Sequence, residues 1–376
     1  MINFKYFKTY FKESLFFLLF ISLTLIFLFV IPIFTIYINE DYIMSWPKDM
    51  MPNFFTLSIL IIIITFVSSI YLVSYKTKIR KLDIYYSLPI SKRSFFNTRA
   101  LVIFVDLIIA VTLAFILGTI VFSFKLIGIN NPYNFIQLIP FYFSIIGSII
   151  PLYIFSITCS FFGSSLVDSS IFLASYTFIP TLIFKQIYFY LSNNYSHSMY
   201  AGESLTPYFT LRYVSNKFED KFCGIKQPAG ATNFDIYPII VFIILSIILF
   251  VLFEIFIIEK DTAENLNGSR KVLYGFKVII PLDILGTVAL FSSILGGYIV
   301  KFGGFIICFI STVVVFFSLY FISKKSFKIQ KDIIPLAIIS FSLAYLFLII
   351  YPINSSLYPS KKRTNFAINF TFELAI

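Results

Sequence analysis

Residues 75–99, YKTKIRKLDIYYSLPISKRSFFNTR, decide how the rest of this chain is read. They hold seven basic side chains (Lys76, Lys78, Arg80, Lys81, Lys92, Arg93, Arg99) and one acid, Asp83, between apolar runs over 54–74 and 100–124. A short Lys/Arg-rich connection between two spans resists translocation, which puts this one in the cytoplasm. Its centre, Ile84-Tyr85-Tyr86-Ser87-Leu88-Pro89-Ile90, is apolar and aromatic. Pro89 disfavours α conformation at Leu88 and breaks any helix there. Ser91 then caps a new helix that begins Lys92-Arg93-Ser94 and runs into the membrane. Composition fits two readings of this elbow equally: a docking element for another protein, or a connector whose rings lie among lipid headgroups.

Working outward, the whole chain is oily. Of 376 residues 59% are hydrophobic and 12% charged, where a soluble domain carries roughly 25% charged. The mean hydropathy of +0.92 and repeated apolar runs of roughly 20 residues predict an all-α integral membrane protein with about nine transmembrane helices. The net charge of +11 gathers in short loops, the signature of topology and anionic headgroups rather than of a nucleic-acid face. Expected spans are 15–38, 54–74, 100–124, 135–162, 171–191, 237–258, 278–300, 304–323 and 333–351. Pro140 and Pro151 predict a kink or break in the fourth. The first run is too long for a cleavable signal and is expected to stay as a span.

Ahead of it, residues 1–14 read as an interfacial amphipathic helix. Phe4, Phe7 and Phe11 share one face, with Lys5, Lys8 and Lys12 on another. With the N-terminus inside, 18 of the 29 Lys/Arg fall in inside segments and 10 outside. The triplet Lys361-Lys362-Arg363 fits poorly in an outside tail. Residues 192–236 form an outer loop.

Several chemistries lack their parts. No G-x-x-x-x-G-K-[ST] occurs, so no nucleotide site is expected in this chain. His197 is the only histidine, which leaves hydrolytic triads and H-E-x-x-H zinc sites without ligands. Cys159, Cys223 and Cys308 have no metal or disulfide spacing. Four ionisable residues fall within spans: Asp106, Lys185, Glu254 and Asp283. Such groups line a pathway or couple to it, since a bare charge in hydrocarbon is costly. Equally, Glu254 and Asp283 reach the inner interface and pair with Lys260 or Lys277, while Lys185 snorkels outward.

Residues 82–96, LDIYYSLPISKRSFF, resemble the "SLPISR-K-x-F" stretch after the second span of type-2 ATP-binding-cassette (ABC) permeases, above all those of low-GC Gram-positive bacteria. Residues 259–265, EKDTAEN, and 271–277, KVLYGFK, resemble the "R-x-S-E-x-A-G … F-K" segment after the sixth span, with Asp261, Thr262 and Asn265 departing from it. The resemblance favours the docking reading of the elbow. It implies a six-span core over 15–258 (elbow 76–98), a second part over 259–352 with three added spans, and a polar tail over 353–376. Tyr85, Tyr86, Ser87, Leu88, Pro89, Ile90, Lys92 and Arg93 would then couple to a separate ATP-binding subunit, with ATP and Mg on that partner and no cofactor here. A second permease subunit, membrane lipids and a bacterial plasma membrane complete the implied setting. The function it implies is a permease for an amphiphilic substrate (peptide, antibiotic, lipid or drug-like) moved outward, not an enzyme. Composition alone leaves open an ion-coupled secondary transporter and a non-transporting sensor or scaffold.

Overall fold

The computed structural model describes residues 3–35, 54–77, 90–127, 135–163, 165–191, 237–258, 275–295, 302–324, 326–329 and 333–355. All regular structure among them is helical. Helix α1 (Phe4–Leu25) passes directly into a π turn, Ile26–Val30, and a last α turn, Ile31–Thr35. There follow α2 (Phe54–Val73), α3 (Lys92–Lys125), α4 (Leu138–Phe161), α5 (Leu166–Leu191), α6 (Tyr237–Phe253), α7 (Phe276–Leu295), α8 (Phe302–Lys324) and α9 (Ile333–Ser355). Each expected span overlaps one of these described helices. Five segments are long and apolar enough to cross a membrane: Tyr6–Thr35, Thr56–Val73, Lys92–Lys125, Phe135–Phe161 and Gly303–Lys324. The molecule is therefore all-α and built as a multi-pass membrane protein is built.

Two expectations meet a different structure. The interfacial helix over 1–14 is not set apart from the first span, because α1 runs unbroken from Phe4 to Leu25. Nothing between Lys12 and Leu15 breaks a helix, and the Ser14 hydroxyl donates back to the Phe11 carbonyl at 3.1 Å. Of the kink or break that the prolines predict in the fourth span, the break does not occur. Pro140 sits in the first turn of α4, where a missing N–H costs little, and the helix continues through Pro151.

The chain divides into two compact units, residues 1–158 with 206–263 and residues 159–205 with 264–376. In the first, α3 is the central helix, and its neighbours climb it in register. The Asn3 backbone N–H donates to Thr98 Oγ1 at 3.1 Å, Arg99 donates to the Tyr10 hydroxyl, Phe29 lies beside Gly118, and Lys125 donates to the Phe34 carbonyl. So α1 and α3 run parallel. A Cβ on Gly118 would stand 2.7 Å from Phe29 Cε1, and glycine lets the π turn of α1 come this close. Helices α2 and α4 run the other way. Tyr71 stacks on Phe17 (4.2 Å) and Tyr75 meets Phe95 (5.5 Å), while Phe141 meets Phe115 and Tyr153 reaches the Ala100 carbonyl (2.8 Å). Phe253, last in α6, touches Phe96. The outer face of α1 leaves Phe16, Leu19, Phe20, Leu23 and Phe27 exposed, a stripe suited to lipid and not to water.

In the second unit α7 is central, packed by α5, α8 and α9. Ile280, Ile284 and Val288 form its core with Cys308, Phe316 and Tyr320 of α8 and Ala344 of α9. Phe172 and Phe276 meet at 5.0 Å, and Ile179 presses on Gly286 further along, so α5 and α7 are parallel. Helices α8 and α9 are antiparallel, with Phe305 against Tyr345 and Phe316 against Phe341. Where the contacts fix the direction of odd-numbered helices, α1 runs with α3 in the first unit and α5 with α7 in the second.

Candidate functional site: the elbow end of the first unit

The start of α3 is set by Ser91. Its backbone is extended (φ −62°, ψ 143°), and its hydroxyl accepts from the Ser94 N–H at 3.3 Å. That cap is the one the sequence predicts. Tyr85, Tyr86, Ser87, Leu88 and Pro89 lie outside the described residues; Ile90, Lys92 and Arg93 are half-buried on the C-terminal flank of the elbow.

One turn into α3, three consecutive residues reach three different partners. Successive side chains of a helix diverge by about 100°, so neighbours in sequence face different neighbours in space. Asn97 donates from Nδ2 to Glu254 Oε1 at 2.5 Å, tying α3 to the π turn (Glu254–Ile258) that ends the sixth helical segment. Thr98 accepts from Asn3 at the start of α1. Arg99, 4% exposed, donates to the Tyr10 hydroxyl at 2.5 Å. Its guanidinium lies 4.4 Å from the Tyr10 ring centre, 4.5 Å from Tyr75 and 5.5 Å from Phe95. A guanidinium stays charged, and stacking on desolvated rings is worth on the order of 2 kcal/mol.

Two turns deeper on the same face lies Asp106, fully buried. Ser14 of α1 lies against it, and Tyr153 of α4 is close enough to feel its charge. Neither carboxylate oxygen has a hydrogen-bond partner among the described residues. Of the other ionisable residues singled out from the sequence, Glu254 joins this end through Asn97; Lys260, the partner the sequence offered it, lies outside the described residues. Asp283 belongs to the second unit, where it accepts from the Ser175 hydroxyl at 3.0 Å while Lys277 stays exposed. Ser175 is a partner of Asp283 there, and Lys260, the other cation the sequence offers it, lies outside the described residues. Lys185 is in α5, its side chain outside the described set. Phe4 is exposed, and Phe7 and Phe11 are half-buried and stacked at 6.2 Å.

Sequence reasoning passed over Arg99, Tyr10, Tyr75, Asn97 and Tyr153. A signal was present, since Arg99 and Asp106 stand seven residues apart, on one face of an apolar helix. No group of three or more His, Cys, Asp or Glu side chains suited to a metal ion occurs among the described residues. Fold and site together define a multi-pass helical membrane chain with a polar cluster at one end of its first unit. No family model, curated protein or solved structure matches it.

Proposed function

We propose that this chain is the membrane-spanning permease subunit of an ATP-driven exporter of the type-2 ABC kind, crossing a bacterial plasma membrane about nine times with its N-terminus in the cytoplasm. A separate ATPase subunit docks on the elbow, and a second permease subunit completes the path for an amphiphilic substrate. The observation that carries this reading is the convergence at the elbow end. The 3-10 turn Ser74–Thr77 that follows α2, the first turns of α3, the beginning of α1 and the π turn after α6 are joined there by Tyr75, Arg99, Thr98 and Asn97. A force applied to the elbow is thereby delivered to four helical segments at once. The resemblance of residues 82–96 supplies the kind of partner that applies it.

The test is co-expression with a candidate ATP-binding subunit that carries a P-loop. Tyr86→Ser with Leu88→Ser removes two apolar anchors and leaves the basic flanks. The double variant is expected to stay in the membrane, lose the ATPase on co-purification and lose ATP-dependent export. Retention of both ATPase and export would end the coupling reading.

A further inference from the structure

Asp106 is a group the proposed coupling leaves unused. It is wholly buried on α3, between α1 and α4, and both oxygens are without a hydrogen-bond donor among the described residues. Ser14 Oγ stands against the carboxylate as well as the Phe11 carbonyl and has one proton for the two, and the Tyr153 hydroxyl donates to the Ala100 carbonyl. Arg99, the nearest cation on the buried face of α3, is roughly 10 Å toward the elbow end and engaged by Tyr10, Tyr75 and Phe95. Glu254 at that end is taken by Asn97, and Tyr71 of α2 is stacked on Phe17. At most one hydroxyl proton, that of Ser14, is therefore within reach of the carboxylate, and the nearest cation described on α3 is a helix turn or more away. An anion so placed in hydrocarbon is strongly unfavourable without a compensating charge.

We infer that Asp106 is the binding site for one small, hard monovalent cation, a proton or Na+, held between α1 and α3. A buried carboxylate with the Ser14 hydroxyl set against it suits such an occupant, and hard cations take oxygen ligands. Ser14 supplies one wall of the site from α1 and Asp106 the other from α3. Release then requires the two helices to part. The site stands whether or not an ATPase docks on the elbow.

The test uses the full chain in nanodiscs of phosphatidylethanolamine and phosphatidylglycerol. Thermal unfolding is followed across Na+ concentrations, with N-methylglucamine as the replacement cation, and an infrared spectrum is taken at neutral pH. With Na+ as occupant, the wild-type midpoint climbs with the logarithm of Na+ concentration above the dissociation constant, and Asp106→Asn shows no climb. With a proton, the wild-type spectrum carries a carboxylic-acid C=O band absent from Asp106→Asn, and Na+ has no effect. Ser14→Ala keeps the carboxylate and moves whichever signature is present, raising the Na+ requirement several-fold or shifting the band. A wild-type protein with neither signature, or a Na+ response shared equally by Asp106→Asn without the band, overturns the assignment.

Discussion

Arg99 is a buried cation set among aromatic rings. A hydrogen bond to Tyr10 and the faces of three rings hold its charge at the elbow end. The planar fork and delocalised charge matter, because an ammonium neither stacks nor forks in this way. Arg99→Gln should lower stability by about 2 kcal/mol, the scale of a desolvated cation–π contact. Arg99→Lys should lose less, and Tyr10→Phe, which keeps the ring and drops the hydroxyl, least. Thermal unfolding in one detergent ranks the three, and equal losses would mean that the rings contribute nothing. This residue was hard to read because it closes a run of seven basic side chains, six of which look like loop charges. Only its distance from Asp106 marks it as facing inward. Ser91, by contrast, was legible, since a serine after an X–Pro break and before an apolar run has few other uses.

At the scale of elements, helix positions were readable and helix faces were not. Every apolar run of about 20 residues became a helix, and the ends fell near the charges and prolines that bracket it. The sequence assigns Phe4, Phe7 and Phe11 to the membrane interface and names no inward side of α1; the buried stripe is Tyr10, Ser14, Phe17, Ile21 and Leu25. In lipid the usual rule loses its force: apolar side chains are content outside, while small and polar ones seek protein contacts. Close packing of α1 on α3 also depends on Gly118, where even a Cβ would crowd Phe29. Gly118→Leu is expected to destabilise by roughly 1–3 kcal/mol through overpacking. Gly147, on α4, has no such neighbour within 4 Å, so Gly147→Leu should leave the unfolding midpoint near wild type. Equal behaviour of the two variants would remove the close approach as a determinant of stability.

For the whole molecule, the charge bias of the sequence predicts the N-terminus, the elbow and the 324–331 basic stretch inside and residues 192–236 outside, and cysteine labelling tests it. In a background lacking Cys159, Cys223 and Cys308, Lys78→Cys and Ser326→Cys should resist an impermeant thiol reagent in intact cells, and Ser215→Cys should react. Labelling at 78 from outside would invert the orientation and put the elbow out of reach of a cytoplasmic ATPase. The parallel course of α1 and α3 bears on how the protein is made. The ribosome delivers α1 well before residues 92–125 have been synthesised, and in that interval Tyr10 and Ser14 wait in the bilayer without Arg99 or Asp106. The α1–α3 seam therefore closes only after both helices have been inserted, in a second stage of lateral association. Hydropathy is sufficient to thread α1, but its rotational setting is fixed late, by a helix from beyond the elbow.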